Sequence, residues 1–202
     1  MTRSRTAAVV TGAIAALALS VLLDPWVWTH IENPAVYERD WGRLLRVTGS
    51  LVLWAPLAIA VWLETRAREP SRSGRAWLLL FGPAVAGGVA EVLKIGFRRE
   101  RPGLHDGGYF FRSFADRPFD TRDIGLPSSH VMVAFGGATI LARLYPRAGP
   151  VAYLLAAGCG ITRILARAHF LSDVLLGALA GWAVAALLWR RFGGPPSPAT
   201  ST

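Results

Sequence analysis

Three short stretches hold side chains that an apolar sequence has no packing reason to keep. In ITRILARAHFLSD, Arg163, His169 and Asp173 lie between two long apolar runs. A charge near the middle of a bilayer costs roughly 2.5 to 3.5 kcal/mol or more, so residues kept there imply a chemical use. His169 and Asp173 are four positions apart, on one face of any helix holding both, where a carboxylate can fix the tautomer of an imidazole. That prepares a histidine to act as nucleophile or base. Lys94 and Arg101 are seven positions apart, about 10.5 Å along a continuous helix. Arg98 falls on the same face, and Pro102 is placed to end the helix. Such a cluster suits a multiply charged anion, with guanidinium supplying bidentate geometry and ammonium a point charge. Pro127-Ser128-Ser129-His130 opens another apolar run, where a helix N-terminus offers free N–H groups and two hydroxyls to an oxyanion. Each stretch alone has an ordinary reading, as snorkelling arginines, a capping histidine or an interfacial pair. Their combination points to chemistry on an anion.

The elements that position them are read from the apolar runs. Runs near 7–23, 45–63, 76–97, 130–145, 148–166 and 169–189 each approach the roughly 17 to 25 residues needed to cross hydrocarbon. The expected fold class is all-α, an integral membrane six-transmembrane-helix bundle over residues 1–192, with residues 193–202 a disordered tail. Arg3, Arg5 and the triplet Ala16-Leu17-Ala18 also fit a signal peptide, but the run continues to Leu23, which favours a retained first helix. Residues 24–44, with Trp26, Trp28 and Trp41, are expected along the membrane surface. Gly177 and Gly181 give a small-residue spacing suited to close helix packing.

The net charge is +9 with 52% hydrophobic residues. The arginines sit at the ends of apolar segments rather than in a soluble basic module, which argues against a nucleic-acid partner. The single cysteine, Cys159, excludes an intrachain disulfide and a multi-cysteine metal cage, and is expected in the core. His30 has no partner at ligand spacing, so no metal is assigned to it. Arginines 66, 68, 72 and 75 mark their loop as cytoplasmic. The three polar motifs then fall on the opposite, non-cytoplasmic face. That places ten basic residues inside against twelve outside, an imbalance explained if several outer ones serve the site. The segment from Arg98 to Pro127 is the one long outer connection.

Taken together, Lys94-x6-Arg101-Pro102, Pro127-Ser128-Ser129-His130 and Thr162-Arg163-x5-His169-x3-Asp173 resemble the three-part signature of the type 2 phosphatidic acid phosphatase (PAP2) superfamily, which includes vanadium haloperoxidases. The resemblance implies a phosphatase in which His169 attacks phosphorus, Asp173 holds it, and His130 protonates the leaving oxygen and then activates water. Lys94, Arg101, Arg163 and the amides of Ser128 and Ser129 would hold the phosphate oxygens, without cofactor or metal. The implied substrate is a lipid phosphate monoester or prenyl diphosphate, such as phosphatidic acid or undecaprenyl diphosphate, in a bacterial inner or plasma membrane. Two positions depart from the family pattern, which has glycine at Ser129 and serine at Thr162. A non-catalytic anionic-lipid binding or transport protein is the rival reading. Oligomeric state is left open.

Overall fold

A computed structural model describes residues 3–194; the tail expected to be disordered lies, from 195 onward, outside the described residues. The helices are α1 (Arg3–His30), α2 (Asp40–Val47), α3 (Leu51–Arg68), α4 (Leu78–Phe97), α5 (Ser129–Leu144), α6 (Gly149–Leu165) and α7 (Leu171–Phe192). Short 3-10 turns at Pro34–Glu38, Pro70–Trp77, Pro102–Leu104 and Pro146–Ala148 each begin with proline, whose fixed φ suits the start of a helical turn. No strand occurs among the described residues; two isolated bridges pair Arg99 with Phe111 and Glu100 with Ile124.

Among the described residues, four helical segments are long and apolar enough to cross a membrane: Ala7–His30, Ser73–Phe97, Pro146–Leu165 and Leu171–Phe192. A fifth is present if α2 and α3, which meet at 65°, form one bent span. The expected six therefore divide unevenly. The run at 45–63 is broken where Thr48 closes α2 and the Ser50 hydroxyl caps α3, and α5 is apolar but only 16 residues long. The polar segment after residue 23 also differs from expectation. Helix α1 continues through Pro25 to His30, carrying Trp26 and Trp28 with it, and α2 alone supplies an amphipathic segment, with Trp41 and Leu44 outward.

Helix α5 is the centre of the bundle, packed against α4, α6 and α7, while α1 lies along α7. Lipid supplies no hydrophobic force between spanning helices, so close approach depends on small residues. A Cβ on Gly177 would lie 2.9 Å from the Ser128 carbonyl oxygen, and one on Gly181 would collide with the Met132 backbone. These two glycines seat the first turns of α5 on α7, bringing the Ser128–His130 turn beside the start of α7. The indole of Trp54, buried in α3, occupies the place a side chain on Gly137 would take.

Candidate active site

Helix α4 stops at Phe97 because Arg98 turns left-handed, φ 55°, donating its N–H to the Lys94 carbonyl. Lys94 and Arg101 are thus not two turns of one helix. Arg101 lies in an extended segment after the break, tied by its N–H to the Asp123 carbonyl at 2.8 Å. The two side chains still lie near Arg163: each cation is within electrostatic range of the other two. Arg98 does not join them. Its guanidinium donates to the carbonyls of Arg112, Ser113, Asp116 and Pro118 at 2.5 to 3.0 Å, so it organises the loop rather than the site. Arg112 does the same from the loop, with Glu100 at 2.5 Å and the carbonyls of Asp120 and Arg122. The long segment from Arg98 to Pro127 is therefore pinned by two buried guanidinium groups.

His169 is 4% exposed in the turn between α6 and α7. Its Nδ1 is 3.5 Å from Asp173 Oδ2, ion-pair range but long for a hydrogen bond, and has no closer protein partner. Burial pulls the imidazole down to about 4 despite the opposing pull of Asp173, so the ring is neutral at pH 7. The carboxylate of Asp173 is fully buried and held by others. Oδ2 accepts the Phe170 N–H at 2.9 Å, and Oδ1 accepts Arg99 Nη2 at 2.5 Å. Arg99 also donates to the Ser172 hydroxyl at 2.7 Å and lies over the rings of Tyr109 and Phe170.

A second buried carboxylate, Asp24 of α1, accepts the Ser172 N–H at 2.9 Å, the Ser172 hydroxyl, and the Tyr109 hydroxyl at 2.8 Å. The Tyr109 phenol is pushed up by burial and by Asp24, and remains a donor. Sequence reasoning singled out none of Asp24, Arg99, Tyr109 and Ser172. Their only signal was the expense of Asp24 at the end of an apolar run and of Arg99 beside two other arginines.

Ser128 stands immediately before α5, its side chain making no cap bond to the helix. Its N–H donates to the Asp173 carbonyl at 3.2 Å, so this amide is not open to a phosphate as expected; its buried hydroxyl has no protein partner and is. The Ser129 hydroxyl donates to Glu91 at 2.6 Å, and Lys94 Nζ donates to the same Glu91 oxygen at 2.9 Å. The serine found where the family has glycine thus has a partner one turn before Lys94. His130 follows in the first turn of α5, packed against Gly49 where α2 bends into α3. It lies within electrostatic range of His169, Arg163 and Lys94. Thr162 turns its hydroxyl to the Cys159 carbonyl, while Arg163 donates to the Tyr37 hydroxyl at 3.1 Å. Arg167 points away, pairing with Glu32 at 2.7 Å over Trp28.

The predicted Lys94, Arg101, Ser128, Ser129, His130, Arg163, His169 and Asp173 are therefore brought to one end of the bundle. Arg101 Nε, Arg163 Nε and the Ser128 hydroxyl are buried donors without protein partners, the arrangement expected around a polyanion.

These features define a helical bundle with apolar segments long enough to cross a membrane, and a cluster of buried cationic side chains beside two histidines at one end. The PAP2 superfamily model matches residues 75–194, which hold all three motifs, and the chain belongs to that superfamily. It is also similar to a lipid A 1-phosphatase of Rhizobium etli, 30% identical over 196 residues, covering 89% of this chain and 83% of the relative. No solved structure matches the chain.

Proposed function

We propose that this protein is a lipid phosphatase that hydrolyses a phosphate monoester of a membrane lipid through a phosphohistidine on His169. The observation that carries the reading is the convergence of Lys94, Arg101 and Arg163 on two histidines, with buried guanidinium and hydroxyl donors left for an anion. His169 is neutral, so Nε2 keeps a lone pair for phosphorus while Nδ1 faces Asp173. As the N–P bond forms and the P–O bond breaks, His130 gives its proton to the leaving oxygen. His130 then takes a proton from water, which attacks phosphorus and releases His169 and inorganic phosphate. Lys94, Arg101 and Arg163 hold the equatorial oxygens, where fixed positive charge stabilises a phosphoryl transition state. Asp173, held by Arg99 and the Phe170 N–H, orients the nucleophile, and Asp24 braces that pair through Ser172.

The monoester is favoured over a prenyl diphosphate because the Glu91 carboxylate stands beside Lys94 and Ser129, where a second phosphate would meet like charge. The relative's activity on lipid A supports a glycolipid 1-phosphate as the first candidate. We read the bundle as crossing the membrane six times. Helix α5, about 24 Å long, is then the short central span, and the bent α2–α3 pair counts as one. The site then faces the non-cytoplasmic side, because Arg66, Arg68, Arg75, Arg143, Arg147, Arg190 and Arg191 gather at the other end.

Phosphate release by purified protein from a glycolipid 1-phosphate, phosphatidic acid and undecaprenyl diphosphate tests the activity and ranks the substrates. Release from none of them, with binding retained, would favour the non-catalytic binder. In a Cys159→Ala background, Gly108→Cys should react with an impermeant maleimide on intact cells and Gly74→Cys should not; the reverse would invert the orientation.

A further inference from the structure

At the end of the bundle away from His169, a cavity of about 390 Å³ opens between the last turns of α3, α5 and α7 and the Pro70–Trp77 turn. Its wall includes Arg68, Arg75 and Arg143, the carboxylates Glu64 and Glu69, and the aromatic rings of Tyr145 and Trp189. Arg68 is neutralised by Glu64 at 2.5 Å, and Glu69 is likewise engaged. Arg75 and Arg143 are different. They come from two elements far apart in sequence and have no ion-pair or hydrogen-bond partner among the described residues, yet both face this one cavity.

Helix α5 begins at the catalytic end and finishes here, so the two sites are about 24 Å apart along its axis. In a membrane-spanning bundle that separation puts the cavity in the headgroup layer of the opposite leaflet. Tyrosine and tryptophan at its edge are the residues expected at that depth. Just below, toward the bilayer centre, Leu63 of α3 and Leu187 of α7 are 56% and 63% exposed, an apolar surface on which acyl chains can lie.

We propose that this cavity is a second anion site, binding the phosphate-bearing headgroup of an anionic membrane lipid in the leaflet opposite the catalytic histidines. Two unpaired guanidinium groups give bidentate geometry for a phosphodiester, and basic pockets between spanning helices at this level are suited to such headgroups. The proposal requires the bundle to span the membrane and does not depend on the hydrolysis assigned to the other end.

The test is lipid retention by the full chain, purified from mixed phosphatidylglycerol and phosphatidylcholine and read by native mass spectrometry after detergent exchange. Wild type should retain phosphatidylglycerol in preference, and Arg75→Gln/Arg143→Gln should lose roughly tenfold or more of that preference. Arg147→Gln/Arg190→Gln removes the same charge from exposed positions outside the cavity and should retain it. Thermal unfolding in phosphatidylcholine nanodiscs checks that the variants fold. Should the glutamine pair not fold, Arg75→Lys/Arg143→Lys keeps the charge, and weakened retention there supports bidentate recognition. Equal retention in wild type and the Arg75/Arg143 variant, or equal loss in both double variants, overturns the site. Displacement of the lipid by millimolar inorganic phosphate as effective as by glycerophosphoglycerol would assign the cavity to soluble phosphate and overturn the lipid headgroup.

Discussion

Arg98, Arg99 and Arg112, at the end where α4 stops and α5 begins, are 2%, 5% and 3% exposed, whereas Arg147, Arg190 and Arg191 at the other end are exposed. The residue type is the same and the physics is not. A guanidinium taken out of water turns its donors to partners in the protein or to a bound anion. Arg98 and Arg112 do so on carbonyls and Glu100, and Arg99 on Asp173 and Ser172. Removing one strands a buried carboxylate or several carbonyls. At the far end water and headgroups complete the shell, so single changes there cost little. The end that holds the histidines ties its arginines to fixed partners because they are buried together, and the far end leaves its exposed arginines without that constraint.

His169→Ala should remove turnover, a loss on the order of 10⁴ or more, together with any acid-labile, base-stable phosphoenzyme in a rapid quench with labelled substrate. Label retained in that variant would move the nucleophile elsewhere. His130→Ala should cost roughly 10² to 10⁴. A substrate with a good leaving group should rescue its first step, and phosphoenzyme should accumulate because water is no longer activated.

Arg99→Ala should destabilise the fold by about 3 to 5 kcal/mol, because it leaves Asp173 buried without its cation. Arg147→Gln should shift stability by less than about 0.5 kcal/mol. Denaturant unfolding of the two side by side breaks the contrast if their effects are alike.

The pH dependence sharpens it further. His169 titrates near 6.5 when unfolded and near 4 when folded, so the unfolded chain takes the proton first. Stability is then full above pH 6.5 and declines as pH falls toward 4, while the folded imidazole stays neutral at pH 5. Thermal midpoints should show a shallower acid limb in His169→Gln than in wild type; parallel limbs would assign the acid sensitivity to other groups.

Among the changes near the two histidines, Ser129→Gly should have the smallest effect on activity. It deletes one hydrogen bond to the half-exposed Glu91, worth about 0.5 to 1.5 kcal/mol. The change in kcat/KM should stay near or below about tenfold. A larger loss would show that Glu91 needs Ser129 to hold Lys94 in place.

By itself, the sequence determined the helical class, the apolar segments and the eight residues of the motifs, because each of these is written over a few turns of chain. Hydropathy, helix-start signals and the i, i+4 spacing of His169 and Asp173 are local quantities. Only the tertiary structure decided how those residues are held. The Ser172–Asp24 contact spans 148 positions and the Arg99–Asp173 contact 74, distances over which no periodicity carries information. It also decided that Arg98 bonds to the loop while Arg101 lies beside Lys94 and Arg163. One left-handed residue after Phe97 ends α4 and removes the helical register that would have placed Lys94, Arg98 and Arg101 on a single face. Burial is set by all the neighbours a fold assembles, so the division of similar arginines into buried anchors and exposed charges appears only once α1, α4, α5 and α7 are packed.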